Sequence, residues 1–324
     1  MSCREIVLGV DIGGTNTALG YADQNGILLV ESTIPTEAQR PATEFFDRLH
    51  RNAENLRSSI NEDVRVVGVG VGAPNGNYFN GTIEQPPNLS WRFVDVVASL
   101  QKWYELPVVL TNDANAAALG EMLFGAAKGM KDFIVITLGT GLGSGIVANG
   151  ELIYGHDGFA GEIGHTIVDP EGRQCGCGRK GCLETYVSAN GIRRTVEELI
   201  TSSAAPSLLR EIHFTELTSK YIYEAALKGD KLAQEAFEVT GRYLGFKLAD
   251  SVAHTSPEAI ILFGGLAAAG DFIFKPTKKY LEEYLLNIFT NKVKLIPSGL
   301  PEGNSAVLGA AALIWNEIQK KEIK

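Results

Sequence analysis

The chain has 324 residues, a formal net charge of −9, 45% hydrophobic residues and 21% charged residues. This length and composition predict a globular protein of two ordinary domains, and the acidic balance argues against nonspecific binding to nucleic acid or to an anionic membrane. No stretch approaches the roughly 18 consecutive apolar residues of a membrane span, and the N-terminal segment lacks a signal-peptide pattern. We therefore expect a cytoplasmic protein with neither a membrane nor a nucleic-acid partner.

The first part of the chain predicts a mixed α/β domain. Short apolar runs bounded by turn residues predict strands at 5–10, 17–23, 27–34, 64–71 and 107–111. Apolar residues at helical spacing predict helices at 41–60 and 94–104, and Pro41 suits the first turn of the earlier one. We expect this smaller domain to comprise residues 1–115 and a C-terminal helix at 305–324.

The second part predicts a larger α/β domain over residues 116–304. The expected strands are 132–138, 143–149 and 258–265. The expected helices are 116–127, 186–202, 230–252 and, at the end of the chain, 305–321. Residues 155–185 are rich in Gly, Cys and turn residues, which is the clearest change of composition in the chain.

Two segments repeat one pattern: an apolar strand, a Gly- and Thr-rich turn, a second apolar strand and an Asn-Gly turn. They read "IVLGVDIGGTNTALGYADQNG" and "IVITLGTGLGSGIVANG", and Asp11 of the first aligns with Thr137 of the second. Bare glycines let backbone N–H groups approach an anion, so two such turns facing each other suit a polyphosphate, although simple hairpins remain the alternative. The GxxxxGK[ST] pattern of P-loop proteins is absent from the sequence.

Two other junctions carry candidate residues. Gly264 and Gly265 end the strand at 258–265, where a flat ring or ribose can lie on the backbone, or where the strand simply stops. Asn112 and Asp113 mark a strand-to-helix junction. They form a helix N-cap in one interpretation and aim a carboxylate at a substrate hydroxyl in the other.

The cysteine-rich segment predicts a metal site. Cys175, Cys177 and Cys182 lie on a glycine-hinged loop, and His165 precedes them. Three thiolates and one imidazole suit a closed tetrahedral zinc site, and unpaired thiols are the alternative. Cys3, near the N-terminus, is interpreted as taking no part in this site.

Two carboxylates flank this segment. Glu162 lies three residues before His165, and Glu184 lies two residues after Cys182. A metal-bound histidine keeps one ring N–H free to donate, and carboxylates accept hydrogen bonds from vicinal hydroxyls. The cluster therefore suits a sugar, although either glutamate alone is also typical of a solvated surface.

Together the motifs resemble the ROK family of bacterial sugar kinases and repressors. The motifs that carry the resemblance are "DIGGTNT" (11–17), "TNDANAAALGE" (111–121), "LGTGLGSGIV" (138–147), "GEIGH" (161–165) and "CGCGRKGCLE" (175–184). They follow the family order and span essentially the whole chain. The resemblance implies the actin-like (RNase H-like) two-domain ATPase fold, an α/β architecture with mixed sheets and an interdomain cleft, and usually a homodimer.

The resemblance also implies a role for each candidate residue. It makes Asp113 the catalytic base for the sugar 6-hydroxyl and Asp11 the magnesium-side carboxylate. The residues that hold sugar hydroxyls would be Asn112, Glu162, His165 and Glu184. The residues that hold phosphates would be Gly13, Gly14, Thr15, Gly139, Thr140 and Gly141, with Gly264 and Gly265 at the adenosine. The structural zinc ligands would be His165, Cys175, Cys177 and Cys182.

The expected reaction is transfer of a phosphoryl group from ATP to glucose with Mg²⁺, which gives glucose 6-phosphate. Kinases of N-acetylmannosamine, N-acetylglucosamine, fructose or allose use similar motifs and stay open as alternatives. A sugar-responsive repressor is disfavoured, because only ten residues precede Asp11 where repressors carry a helix-turn-helix, and a polyphosphate-dependent glucokinase is disfavoured by the cysteine cluster. One departure from the family pattern is "GAPNG" (72–76), where many members have Gly-x-Pro-Gly, so the role of Asn75 is open.

Overall fold

The computed structural model describes residues 3–86, 89–301 and 303–322. Its strands are β1 (Arg4–Ile12), β2 (Asn16–Asp23), β3 (Leu28–Pro35), β4 (Val64–Ala73), β5 (Gly76–Asn77), β6 (Thr82–Glu84), β7 (Phe93–Asp95), β8 (Val108–Asn112), β9 (Phe133–Leu138), β10 (Leu142–Ala148), β11 (Glu151–Leu152), β12 (Ala259–Phe263) and β13 (Lys294–Pro297). Its helices are α1 (Ala42–Ser58), α2 (Val96–Gln101), α3 (Asp113–Leu123), α4 (Ala189–Ser202), α5 (Ser219–Leu227), α6 (Lys231–Thr255), α7 (Asp271–Tyr284) and α8 (Ser305–Glu322).

The first sheet has the strand order β3-β2-β1-β4-β8. Strands β1, β2 and β3 pair antiparallel, whereas β1, β4 and β8 run parallel. Asp11 pairs in register with Gly72, and Gly72 with Thr111. The carboxyl ends of the three parallel strands therefore lie along one edge of the sheet, the position at which α/β sheets bind ligands.

Both faces of the central strand β1 are covered, which explains its unbroken apolar run. Ile6 and Leu8 belong to a core cluster with Phe45 of α1, and Val7 belongs to a cluster with Leu308 of α8. The backbone of α8 lies directly against the sheet. A Cβ added at Gly9 would lie 2.4 Å from the carbonyl oxygen of Val307, and one added at Gly70 would lie 1.9 Å from that of Ala310, so these strand positions require glycine.

The second sheet has the order β11-β10-β9-β12-β13, and β9, β12 and β13 pair in parallel. Phe263 pairs in register with Thr137, so the carboxyl ends of β9 and β12 also meet at one edge. Beside this sheet the long helix α6 packs closely on α7. A Cβ at Gly245 would lie 2.6 Å from the backbone nitrogen of Leu281, which shows how near the two helices approach.

The chain divides into two compact units. Unit 1 contains residues 1–130, 145–161 and 298–324, and unit 2 contains residues 131–144 and 162–297. This division differs from the expected boundary at residue 115, because α3 and the β10–β11 hairpin belong mainly to unit 1.

Close packing of α3 on α8 explains why α3 belongs to unit 1. A Cβ at Gly120 would lie 3.1 Å from the Cα of Gly309. The fully buried Glu121 adds polar contacts, since its Oε2 accepts hydrogen bonds from the backbone of Ala126 at 2.7 Å and of Gly299 at 3.1 Å. Glu121 thus fixes the chain near the points where it leaves and re-enters unit 1.

Most predicted elements are present with ends shifted by a few residues. Helix α3 begins at Asp113 rather than 116, α2 is shorter than the predicted 94–104, and Pro41 is the residue before α1. The elements that were not predicted are helices α5 and α7 and strands β5, β6, β7, β11 and β13. No helix in the described ranges combines the length and apolar character needed to cross a membrane.

Candidate functional site

Two acidic side chains stand at the carboxyl edge of the parallel strands in unit 1. Asp11 is the penultimate residue of β1, and Asp113 follows β8 directly and opens α3. Gly72 of β4 lies between them, because a Cβ there would be 3.5 Å from Asp11 Oδ1 and 3.7 Å from the Cα of Asp113. The missing side chain at Gly72 leaves room beside both carboxylates.

Asn112 and Asp113 combine the two roles that the sequence left open. Asn112 is the N-cap of α3, and its Oδ1 accepts a hydrogen bond from Ala114 N at 2.9 Å. Asp113 Oδ1 accepts from the same amide at 2.8 Å. The N-cap is therefore already supplied by Asn112, which leaves the Asp113 carboxylate available for chemistry.

Both aspartates have raised pKa values. Removal from bulk water raises the pKa of Asp11 to about 7, and the nearby charge of Asp113 adds to the increase. Desolvation also raises the pKa of Asp113, although its side chain is accessible to solvent and its amide hydrogen bonds oppose the shift. Raised pKa values of this kind are typical of carboxylates in functional sites, where they bind a cation or accept a proton.

The first glycine turn, residues 13–16, joins β1 to β2. Gly13 N donates to Asn16 O at 3.0 Å, and a Cβ at Gly13 would lie 2.7 Å from that oxygen, so the turn requires glycine there. Thr36, which directly follows β3, holds the turn in place. Its N–H donates to Thr15 O at 2.8 Å and its hydroxyl donates to Gly13 O at 2.7 Å. Thr15 is exposed, so its hydroxyl is accessible for donating a hydrogen bond to a phosphate.

Asn75, the departure from the family pattern, adopts a conformation that glycine usually supplies. Its φ is 52°, in the left-handed region that asparagine tolerates better than most residues. Its Nδ2 donates to the carbonyls of Glu84 at 3.0 Å and Gln85 at 3.1 Å. Asn75 therefore preserves the backbone geometry and adds two hydrogen bonds to a neighbouring segment.

The second glycine turn, residues 139–141, follows β9 in unit 2. Gly139 N donates to Gly141 O at 3.0 Å, and Gly139 and Thr140 are exposed. Gly264, at the end of β12, has a φ of 100° and approaches β9 so closely that a Cβ would lie 2.7 Å from Leu138 O. The turn and the Gly264–Gly265 pair therefore lie at the same edge of the second sheet.

Glu184 lies against this turn. Its Oε2 accepts a hydrogen bond from Leu142 N at 2.9 Å, and a Cβ at Gly141 would lie 2.4 Å from the same oxygen. The glycine in the turn therefore admits the carboxylate, and the carboxylate is fixed by a backbone amide.

The four expected metal ligands converge in unit 2. The donor atoms of His165, Cys175, Cys177 and Cys182 all lie within 4.8 Å of one another. Tetrahedral zinc with Zn–S bonds of about 2.3 Å and Zn–N bonds of about 2.0–2.1 Å sets sulfur–sulfur distances near 3.8 Å and sulfur–nitrogen distances near 3.6 Å. The observed Cys177–Cys182 Sγ distance is 3.6 Å, and Cys175 Sγ lies 3.8 Å from His165 Nδ1, so the donor set fits this ion.

The ring of His165 connects the cluster to the second carboxylate. Nδ1 faces Cys175, whereas Nε2 lies 3.9 Å from Glu162 Oε2. A ligand bond at Nδ1 would leave the proton on Nε2, because the two ring nitrogens share one proton in neutral imidazole. The arrangement therefore suits an Nε2–H group that donates toward a bound hydroxyl.

The structure thus gathers the predicted residues in two groups. Unit 1 brings together Asp11, the 13–16 turn and the Asn112–Asp113 pair, and unit 2 brings together the 139–141 turn, Gly264–Gly265, Glu162, Glu184 and the cysteine cluster. Sequence reasoning missed Arg173, a buried residue of the cysteine loop. No sequence signal distinguishes it, because Glu171, Arg179 and Lys180 of the same loop are also charged.

Known proteins resemble this chain over most of its length. The sequence model of the ROK family matches residues 7–317. A glucokinase of Halalkalibacterium halodurans is 38% identical over 286 residues, which cover 86% of each chain. A solved ROK family glucokinase from Streptomyces griseus, in complex with glucose and AMPPNP, is 34% identical, with a TM-score of 0.81 over 95% of this chain and 98% of that one. A ROK family transcriptional regulator homologous to the E. coli MLC protein is 27% identical, with a TM-score of 0.87 over 97% of this chain and 78% of that one.

Proposed function

This chain belongs to the ROK family, and on that premise we propose that it is an ATP-dependent kinase that phosphorylates the 6-hydroxyl of glucose. Its fold is the actin-like ATPase fold of the ROK sugar kinases. The choice of glucose is supported by the similarity to glucokinases over most of the chain. The choice of ATP is supported by the AMPPNP-bound relative.

The observation that carries the kinase proposal is the placement of Asp11 and Asp113 at one strand edge with only Gly72 between them. In the reaction the Asp113 carboxylate accepts the proton of the sugar 6-hydroxyl while that oxygen bonds to the γ-phosphorus of ATP. The bond from the γ-phosphorus to its bridging oxygen breaks, and ADP leaves with the electron pair. Positioning and charge neutralisation dominate such a transfer, and a raised pKa makes Asp113 a better proton acceptor.

Asp11 serves the nucleotide end of the reaction. When bound with ATP, Mg²⁺ neutralises charge on the transferred phosphoryl group. Carboxylate oxygens are suitable ligands for it, directly or through its water shell. Proximity of a cation would favour the ionised form of Asp11, whose pKa is otherwise about 7.

Sugar recognition is assigned to Asn112, Glu162, His165 and Glu184. Carboxylates accept hydrogen bonds from two vicinal hydroxyls, and the His165 Nε2–H adds a donor. Zn²⁺ is proposed at His165 and the three cysteines, whose donor distances fit tetrahedral coordination. Zinc is redox-inert, so its contribution there is to hold the loop that carries these groups.

Phosphate binding is assigned to the two glycine turns, through Gly13, Gly14 and Thr15 in the first and Gly139, Thr140 and Gly141 in the second. Gly264 and Gly265 are assigned to the adenosine. We also propose a cytoplasmic homodimer, which is the usual arrangement in the family.

A coupled assay of ADP release tests the proposal. The purified chain would be assayed with Mg·ATP against glucose, mannose, fructose, allose, N-acetylglucosamine and N-acetylmannosamine, and with polyphosphate as an alternative donor. The highest kcat/KM is expected for glucose with ATP. Preference for an N-acetylated sugar or fructose would overturn the substrate assignment, and absence of ADP release with every sugar would overturn the kinase assignment.

A further inference from the structure

Arg173 lies inside the cysteine loop with only 6% of its side chain exposed. A guanidinium has five N–H donors and keeps its charge, so its burial requires partners for each donor. All five are satisfied. Nε and Nη2 donate to Glu198 at 2.8 and 2.6 Å, Nη2 also donates to Thr195 Oγ1 at 2.9 Å, and Nη1 donates to the carbonyls of Thr185 at 2.7 Å and Gly191 at 3.0 Å.

The surroundings of Arg173 hold its backbone as well. Its N–H donates to the hydroxyl of Tyr186 at 3.2 Å, and its carbonyl accepts from Gly181 N at 2.8 Å. The guanidinium also lies over the Tyr186 ring, 4.3 Å from the centroid, which is the geometry of a cation–π contact. Arg173 therefore has one well-defined position in unit 2.

The acceptors of Arg173 enclose the segment that follows Glu184. Thr185 is the next residue, and Gly191 lies in the first turn of α4. Between them, Ser188 Oγ donates to Glu184 O at 2.8 Å and accepts from Gly191 N at 2.9 Å. Arg173 therefore restrains the main chain of Glu184 from its carboxyl side.

The same segment also contacts the second glycine turn. Ala189 N donates to Gly139 O at 2.9 Å, and Asn190 Nδ2 donates to Thr140 O at 3.2 Å. Displacement of the start of α4 would therefore disturb the turn as well as Glu184.

We propose that Arg173 is a positioning residue for Glu184 that acts independently of the metal ligands. The four candidate ligands lie between residues 165 and 182. Every group that accepts a hydrogen bond from the Arg173 side chain comes after Glu184 in the chain. None of the four candidate ligands accepts a hydrogen bond from the Arg173 side chain, so the metal and Arg173 restrain the loop through different atoms. The inference rests on the proposed function only in that Glu184 contacts the sugar.

The kinetic test uses Arg173→Lys in the full chain. Lysine has three donors in place of five and cannot reproduce the fork geometry. We expect the KM for glucose to rise about tenfold or more, as for misplacement of a binding group, the KM for ATP to change less, and the zinc content to stay at the wild-type level. A variant with lower thermal stability but unchanged KM for glucose would assign Arg173 a merely structural role and overturn the proposal.

Two further variants complete this test. Glu198 is 58% exposed on its side chain, so Glu198→Gln should fold normally and raise the KM for glucose in the same direction by a smaller factor. Arg194→Lys is the matched control, because within the described part of the chain Arg194 makes one hydrogen bond, 3.0 Å long, from α4 to Gln174 O in the same loop. A change in KM with Arg194→Lys equal to that with Arg173→Lys would contradict a specific role for Arg173.

Hydrogen exchange of the amides at 183–191 tests the inference without any activity. In Arg173→Lys their protection should fall while bound zinc is unchanged. Loss of protection on chelation, with retention in Arg173→Lys, would show that the metal and not Arg173 holds the segment. If the wild-type chain phosphorylates no hexose, the proposed function fails, and the exchange experiment still decides the role of Arg173.

Discussion

Asp11 lies near the end of β1 and Asp113 opens α3 directly after β8, yet the charge of Asp113 contributes to the raised pKa of Asp11. The parallel register of β1, β4 and β8 brings their carboxyl ends to one edge, and Gly72 leaves the space between the two residues empty of side chain. Two neighbouring carboxylates of unequal environment are suited to different tasks, one at the proton and one at the cation.

The role of Asp113 as base predicts a specific kinetic defect. Asp113→Asn keeps the shape of the side chain and can still accept from Ala114 N, but it cannot accept the proton. We expect kcat to fall about 10²-fold or more, with little change in the KM for glucose. Asp95→Asn is the control, since Asp95 caps α2 through Ala98 N at 2.9 Å, and it should leave kcat unchanged. Near-normal kcat in Asp113→Asn would leave Asp113 only a role at the start of α3.

The raised pKa of Asp11 predicts how stability depends on pH. In the folded protein the Asp11 carboxyl keeps its proton up to about pH 7, whereas an unfolded aspartate loses it near 3.9. The contribution of Asp11 to the free energy of unfolding is therefore fully present below pH 4 and is lost as the pH rises through 7. Asp11→Asn should therefore raise the free energy of unfolding of the ligand-free protein at pH 8, by on the order of 1–3 kcal/mol, and change it little at pH 4. Urea denaturation at both pH values measures this, with Asp47→Asn on the exposed face of α1 as the control. Equal effects of Asp11→Asn at the two pH values would refute it.

The same group predicts weaker nucleotide binding in acid. Asp11 has to lose its proton to face the magnesium-bound nucleotide, and below pH 7 that costs free energy. Affinity for Mg·ADP, measured by calorimetry, should fall about tenfold per pH unit well below 7, and this dependence should be weaker in Asp11→Asn. A pH dependence that survives unchanged in the variant would have another origin.

The fixed position of the Glu184 carboxylate predicts how much it contributes to kcat/KM for glucose. Glu184→Gln keeps an oxygen for Leu142 N but loses the charge offered to sugar hydroxyls. Since a hydrogen bond to a charged group contributes roughly 1.5–3 kcal/mol, kcat/KM for glucose should fall by about ten- to a hundredfold, and ADP affinity should stay unchanged. Glu171→Gln, exposed in the same loop, is the control. Unaltered discrimination among epimeric sugars would remove Glu184 from the recognition site.

The cysteine cluster predicts one zinc ion per chain. Cys177→Ser should lower the zinc content and raise the KM for glucose or abolish turnover, because a structural zinc site supplies on the order of 10 kcal/mol of local folding free energy. ADP binding should remain within a few-fold of wild type, and added magnesium should not restore activity, because magnesium prefers oxygen ligands. Cys3→Ser, at the exposed fourth cysteine, should change neither property. Elemental analysis that finds no zinc in wild-type protein prepared without chelator would disprove the site.

Asn75 predicts a stability difference among small replacements. Asn75→Ala loses two hydrogen bonds and places alanine at a φ of 52°, so the free energy of unfolding should fall by about 1–3 kcal/mol. Asn75→Gly also loses the bonds but tolerates the conformation, so its loss should be smaller. Asn80→Ala is the control, because the exposed Asn80 makes a longer side-chain hydrogen bond, 3.3 Å, to Glu84 Oε1. Equal losses in both Asn75 variants would show that φ does not matter there.

The sequence predicted the elements whose signal is local. The alternation of apolar runs and glycine turns indicated β1, β2, β9 and β10, and cysteine spacing indicated a cluster that the structure brings together. Helix α7 was missed because Pro276 lies inside it, and proline normally ends a helix. The proline is accommodated there beside Gly241 of α6, whose missing Cβ leaves the space.

Contacts between distant segments could not be predicted from the sequence. The membership of α3 in unit 1 depends on contact between Gly120 and Gly309, which are far apart in the chain. The conformation of Asn75 and the partners of Arg173 depend likewise on tertiary contacts, because neither a φ angle nor a set of acceptors is encoded by residue type alone. The pKa of Asp11 depends on Asp113, and this neighbour is known only from the register of β1, β4 and β8.

The close seating of α8 on β1 and β4 has a consequence for biosynthesis. The Gly9 and Gly70 positions of the sheet are filled by the backbone of a helix that leaves the ribosome after every other described element. Unit 1 therefore cannot complete its core until α8 has been synthesised, whereas all of unit 2 has been synthesised by residue 297. Domains usually fold in N-terminal-first order during synthesis, but the N-terminal strands of unit 1 keep one face uncovered until α8 has been synthesised.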